Sequence, residues 1–166
     1  MAQQQQALTE AAQRQRELAV RRRRIVSMIV LAEALLLLAL GAAAFLVSGD
    51  DPAEAHTDDT VLLFRVNMTY ATLLVVTGAL AALAVLSART TKLFLALQAA
   101  FFTALFVYGS ARSGGSTDRT LLNLNAADNF LHLALAMIGV VLSLWLAGRY
   151  LTNDAEVLGK AEADRG

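Results

Sequence analysis

The sequence predicts an all-α integral membrane protein: a four-helix bundle built of two helical hairpins, with both termini cytoplasmic. Three observations lead there. Of 166 residues, 57% are hydrophobic and 17% charged, and mean hydropathy is +0.52; a soluble domain is about 45–50% apolar. The charges gather at the two ends and in short stretches between apolar runs. Four of those runs, Ile25–Val47, Met68–Ala88, Leu93–Gly109 and Phe130–Arg149, are long enough to cross ~30 Å of hydrocarbon at ~1.5 Å per residue. Backbone groups find no water there, so the spans must be helices. A barrel is excluded because the runs do not alternate in polarity.

Residues 1–24 form a basic, polar, helix-permissive tail with a weak apolar stripe at Leu8, Ala11, Ala12, Leu18 and Ala19. Its end, Arg21 to Arg24, serves as a topology anchor resting on anionic headgroups, at about 1 kcal/mol per arginine. The apolar stretch that follows has 23 residues, too long for the h-region of a cleaved signal, and reads as an uncleaved signal anchor. Residues 25–150 form the transmembrane domain, and residues 151–166 a cytoplasmic tail.

Orientation follows from lysine and arginine. Arg14, Arg16, Arg21 to Arg24, Arg89, Lys92, Arg149, Lys160 and Arg165 fall on one side; Arg65, Arg112 and Arg119 fall on the other. The richer side is cytoplasmic, so the 49–66 and 111–127 loops face outward from the plasma membrane. Trp145 and Tyr150 mark the inner interface of the fourth span. The only proline, Pro52, lies in a loop, so no span is kinked by proline. The 89–92 segment is expected as the inner loop, and the third span as the shortest.

The loops carry little chemistry. "GDDPAEAHTDD" holds five carboxylates and His56, but lacks the spaced ligands and turn glycine of a calcium loop. "ARSGGSTDRT" has the composition of a flexible linker. The chain has no cysteine, which excludes disulfides, thiolate metal sites and cysteine nucleophiles. Its net charge is zero, so no bulk field favours nucleic acid. Haem held by two histidines would need His132 together with His56, and no cofactor is expected.

The fourth span opens on a polar cluster, "NLNAADNFLHLALAMIG". Asp128 is a candidate N-cap, and its charge suits the positive end of the helix dipole. His132, four residues on, lies on the same face and can pair with it. Along that face Gly139, Ser143 and Ala147 form a small-residue stripe that admits another helix closely. Gly78 and Ala82 offer a weaker match on the second span. A fainter copy of the cluster, "NMTYATLLVVTG", lies 58 residues earlier. There Asn67 matches Asn125, Tyr70 matches Asp128, Ala71 matches Asn129 and Leu74 matches His132. Each copy starts at the outer mouth of an inward-running helix, so the hairpins form a parallel repeat. The motif is read as capping a helix and locking the hairpins at their outer ends.

"LNLNAADNFLHLALAMIG" resembles the closing motif of a domain-of-unknown-function family numbered 4383, small and mostly actinobacterial four-span membrane proteins. Asn125, Asp128, Asn129 and His132 match its pattern; Ala136 stands where that family often has glycine, and in the first copy Leu74 replaces the histidine. The resemblance implies the four-span layout over about residues 25 to 150. It implies no activity.

Within the spans, Glu33, Gln98 and Ser143 lie ~9–12 Å from the cytoplasmic edge by helix rise, and are expected to form one buried belt. A central charge costs roughly 2.5–3.5 kcal/mol on insertion. The thirteen Ile, Leu, Val and Phe residues of the first span outweigh it at about −0.3 to −0.6 kcal/mol each. No nucleophile–base spacing, paired catalytic carboxylates or phosphate loop appears. The expectation is a non-enzymatic structural, accessory or regulatory membrane protein that self-associates or joins a larger membrane complex. The alternative is a small proton- or ion-coupled transporter or channel using Glu33 and an Asp128–His132 pair.

Overall fold

The computed structural model describes residues 2–48, 59–112, 122 and 124–163. Most of the acidic loop with His56, the glycine-serine linker, Arg119 and Arg165 lie outside them. So do the side chains of Arg112, Arg149, Tyr150 and Lys160. The described chain is nearly all helical: α1 Ala2–Val47, α2 Met68–Ala84, α3 Ala88–Arg112 and α4 Ala126–Ala163, with a two-strand hairpin, β1 Thr60–Val61 and β2 Phe64–Arg65, between α1 and α2. Three helical stretches, Gln13–Val47, Ala88–Ala111 and Ala126–Ala147, are long and apolar enough to cross a membrane; α2 is a shorter apolar helix.

The helices keep their polar and smallest residues on the buried faces. On α1 and just past its end the buried positions are Val26, Val30, Glu33, Ala34, Leu37, Gly41, Ala44 and Ser48, spaced three and four apart as one helix face demands. The other helices bury similar stripes, in which small, aromatic and polar residues stand beside Leu74, Leu95, Leu135 and Leu142. Large aliphatic side chains, among them Leu35, Leu46, Leu83, Leu97 and Leu144, point outward and are exposed. Glu33, Asn67, Gln98, Asp128 and His132 are buried. A soluble domain does the reverse. Apolar outside and polar within is the arrangement of a protein whose solvent is lipid.

The main packing is α1 on α2 and α3 on α4, with lighter contact of α2 on α3 and α1 on α4. Glycines set the close approaches. A Cβ at Gly78 would lie 3.0 Å from Ala34 O, and one at Gly41 would meet Val75. A Cβ at Gly139 would lie 2.8 Å from Leu95 O and 2.9 Å from Ala99 N. Gly78 and Gly139 thus work inside the α1–α2 and α3–α4 pairs.

Two expectations are corrected at the α2–α3 junction. The turn is Val85–Ser87, not 89–92, and α3 begins at Ala88. Ser87 Oγ accepts from Thr90 N–H at 3.1 Å, an N-cap. The hydroxyls of Thr90 and Thr91 donate to Ala84 O at 2.8 and 2.9 Å, closing the last turn of α2. Arg89 and Lys92 therefore belong to a helix. This lengthens α3 to 25 residues and leaves α2, with 17, as the shortest.

The hairpin was not foreseen. Thr60 pairs with Arg65, and Val61 with Phe64. Leu62 takes φ 58 at the turn, a left-handed position that costs a leucine about 1–2 kcal/mol. So short a ribbon is not stable alone. Val61 and Phe64 pack on the core, and the Asn125 side-chain amide donates to Leu63 O at 2.9 Å.

Candidate functional site

The residues that matter collect at two levels. The first is the hairpin end, where α2 and α4 begin. Asn67 is the N-cap of α2, its Oδ1 accepting from Tyr70 N–H at 2.8 Å. At α4, Asn125 Oδ1 accepts from Asp128 N–H at 2.9 Å, and Asp128 Oδ2 accepts from Asn125 N–H at 2.8 Å. This is a reciprocal capping box. It corrects the sequence expectation: Asn125 is the cap, and Asp128 stands three residues inside, answering it.

Tyr70 and Asp128 hold the same place relative to their caps, and both are fully buried. The Tyr70 hydroxyl lies near the Asp128 carboxyl and 3.4 Å from His132 Nε2, a long and weak hydrogen bond. Their rings meet edge-on at 5.9 Å, and Phe102 of α3 covers the imidazole at 5.6 Å. Arg65 of the hairpin lies beside Asp128. The expected Asp128–His132 pair is not formed; Tyr70 reaches from α2 to both residues instead. His132 Nδ1 and Asn129 Oδ1 are buried without a hydrogen bond. Asn129 packs over Gly109 of α3, where any side chain would collide with it.

The second level is nearer the chain termini. Glu33 of α1 and Gln98 of α3 face one another, although neither carboxyl oxygen reaches hydrogen-bond geometry. Gln98 donates through Nε2 to Leu135 O of α4 at 3.0 Å. Ser143 is half-buried, and its Oγ bonds to nothing. The expected belt therefore joins Glu33 to Gln98 and leaves Ser143 aside. Ala82 and Ala147 are half-buried; Ala82 packs against the core at this level.

Among the described residues no three His, Asp or Glu side chains converge on a possible metal position. What the arrangement does chemically is tie helices together. Tyr70 links α2 to α4, Gln98 links α3 to α4 and faces α1, and Asn125 links α4 to the hairpin. Sequence reasoning missed Tyr70, Phe102, Gly41 and Gly109. For Tyr70 the signal was present in its alignment with Asp128, three residues after an asparagine.

Residues 26–145 match the family profile of a domain of unknown function, DUF4383. No curated protein and no solved structure matches the chain.

Proposed function

The chain belongs to the DUF4383 family, and on that premise we propose that it is a non-enzymatic accessory or structural protein of the plasma membrane. In this reading it crosses four times, with both termini cytoplasmic, as two hairpins in parallel repeat. The matched asparagine caps of α2 and α4 support the repeat. The excess of arginine and lysine at the end bearing the termini supports the orientation.

The observation that carries the function is the use made of the buried and half-buried polar groups. Asn67, Asn125 and Asp128 close helix starts, Gln98 holds a backbone carbonyl across helices, and Tyr70 spans to His132. They serve cohesion, and the exposed leucine-rich surface is left for lipid or for a protein neighbour. Purification from the native membrane in mild detergent tests this. A stoichiometric partner is expected. A homo-oligomer alone that moves protons in proteoliposomes would overturn it.

One observation favours a second reading, proton or cation coupling. Glu33 is buried with neither oxygen hydrogen-bonded, and an intramembrane carboxyl is costly unless it serves something. The comparison is Glu33→Gln, which pairs with Gln98 without a charge. Under the accessory reading the variant assembles as wild type, and neither protein conducts. A proton flux in wild-type proteoliposomes that Glu33→Gln abolishes would establish the second reading.

A further inference from the structure

The four consecutive arginines are not equivalent. On a helix, positions 19, 22, 23 and 26 share one face. In α1 that face continues into Val30, Glu33, Ala34 and Leu37, the stripe that packs on the rest of the protein. Arg22, half-buried, and Arg23, exposed, continue the line of that stripe and face the cleft, whereas Arg21 and Arg24 lie on another side with Arg16 and Glu17. A topology anchor requires only charge near the span. It does not require two arginines on the packing face.

They line a cleft of about 240 Å³ between α1, the start of α3 and α4, closed by Lys92, Trp145 and Leu146 over Val26. Ala19 and Ala88 keep it open by their size. The first turn of α3 has no acidic residue but carries Arg89 and Lys92, cations at the positive end of a helix dipole. Lys92 adds its charge to the cleft lining. The cleft is smaller than the roughly 300–1,000 Å³ of pockets that enclose a drug-sized ligand. It suits a headgroup whose chains stay outside. The tryptophan ring has the amphipathic character favoured at headgroup level.

We propose that this cleft is a binding site for the phosphate headgroup of an anionic phospholipid, held by Arg22 and Arg23 at the positive end of α3 and covered by Trp145. The proposal rests on the membrane embedding of the chain and not on its accessory role.

Trp145 is the only tryptophan and reports on the cleft directly. The full chain is reconstituted in phosphatidylcholine vesicles with a small fraction of brominated phosphatidylglycerol or, separately, brominated phosphatidylcholine. In wild type the anionic lipid quenches Trp145 more strongly at equal mole fraction. Arg22→Gln/Arg23→Gln removes the preference, the relative affinity falling roughly fivefold for each arginine lost. Arg21→Gln/Arg24→Gln removes the same charge and keeps the preference, and helicity by circular dichroism is equal in all three proteins. No preference in wild type overturns the proposal. Equal loss in both variants would reduce it to diffuse surface charge. Loss of the preference on adding millimolar inorganic phosphate would make the occupant a free anion, and the lipid assignment would fall.

Discussion

Gly139→Ala destabilises the protein by about 1–3 kcal/mol, the usual cost of forcing atoms into a filled space. The added Cβ would sit 2.8 Å from Leu95 O and 2.9 Å from Ala99 N, both backbone atoms of α3. Backbone cannot turn aside as a side chain can, so α3 and α4 must separate. The sign decides the matter. Helix propensity alone favours alanine over glycine by about 0.8–1.0 kcal/mol, so a stability equal to or above wild type would refute the close approach. Gly109→Ala is the comparison. The three atoms nearest its Cβ all belong to the side chain of Asn129, which can turn aside, and the loss is smaller. Unfolding in detergent, followed by circular dichroism, ranks the three proteins.

Asn125→Ala and Asp128→Ala each lower stability by about 0.5–2 kcal/mol, the range for a lost helix cap, and the double variant loses about 1 kcal/mol less than their sum. The non-additivity follows from the reciprocal bonds at 2.8 and 2.9 Å: each single change removes one bond outright and loosens the helix start that holds the other. A further cost falls on Asn125→Ala, because its amide also holds Leu63 O of the hairpin. Asn67→Ala provides a contrast. Tyr70, in the place of Asp128, cannot return the bond, so an Asn67/Tyr70 cycle shows less coupling through the cap. Additive losses at Asn125 and Asp128 would mean that the two residues act separately.

Much of this was legible in the sequence, and the parts that were not have physical reasons. The membrane character follows from composition because lipid reverses the usual burial rule, and exposed leucines need no partner within the chain. The cluster at Asn125, Asp128, Asn129 and His132 stands out because polar residues are rare beside an apolar run. Its internal geometry could not be read the same way. Asp128 and Asn125 are both good caps, and only the helix start at Ala126 separates the cap from the residue that answers it. Tyr70 was hidden by its type. An aromatic residue in an apolar helix reads as packing, and its hydroxyl gains a role only when α4 is beside it. The α2–α3 turn was misplaced because Arg89 and Lys92 look like loop residues, while the capping that keeps them helical depends on Ser87, Thr90 and Thr91. Gly41 opens onto a run of alanines, Ala42 to Ala44, that singles out no one contact, and Gly109 has Leu105 and Phe106 one turn before it, so only the facing helix reveals their use.

The length of α1 sets a distance. Its 46 residues run without a break from Ala2 to Val47, about 69 Å of continuous helix. The apolar half, from Ile25, takes about 35 Å of that, close to the thickness of a bilayer core. The polar half is therefore a mast of similar height, rooted in the protein rather than tethered to it. A tag, fluorophore or binding partner at its first turn is held some 35 Å from the point where the apolar stretch begins. A small tilt of α1 between its neighbours is magnified at that far end, as the swing of a pole exceeds the movement of its base.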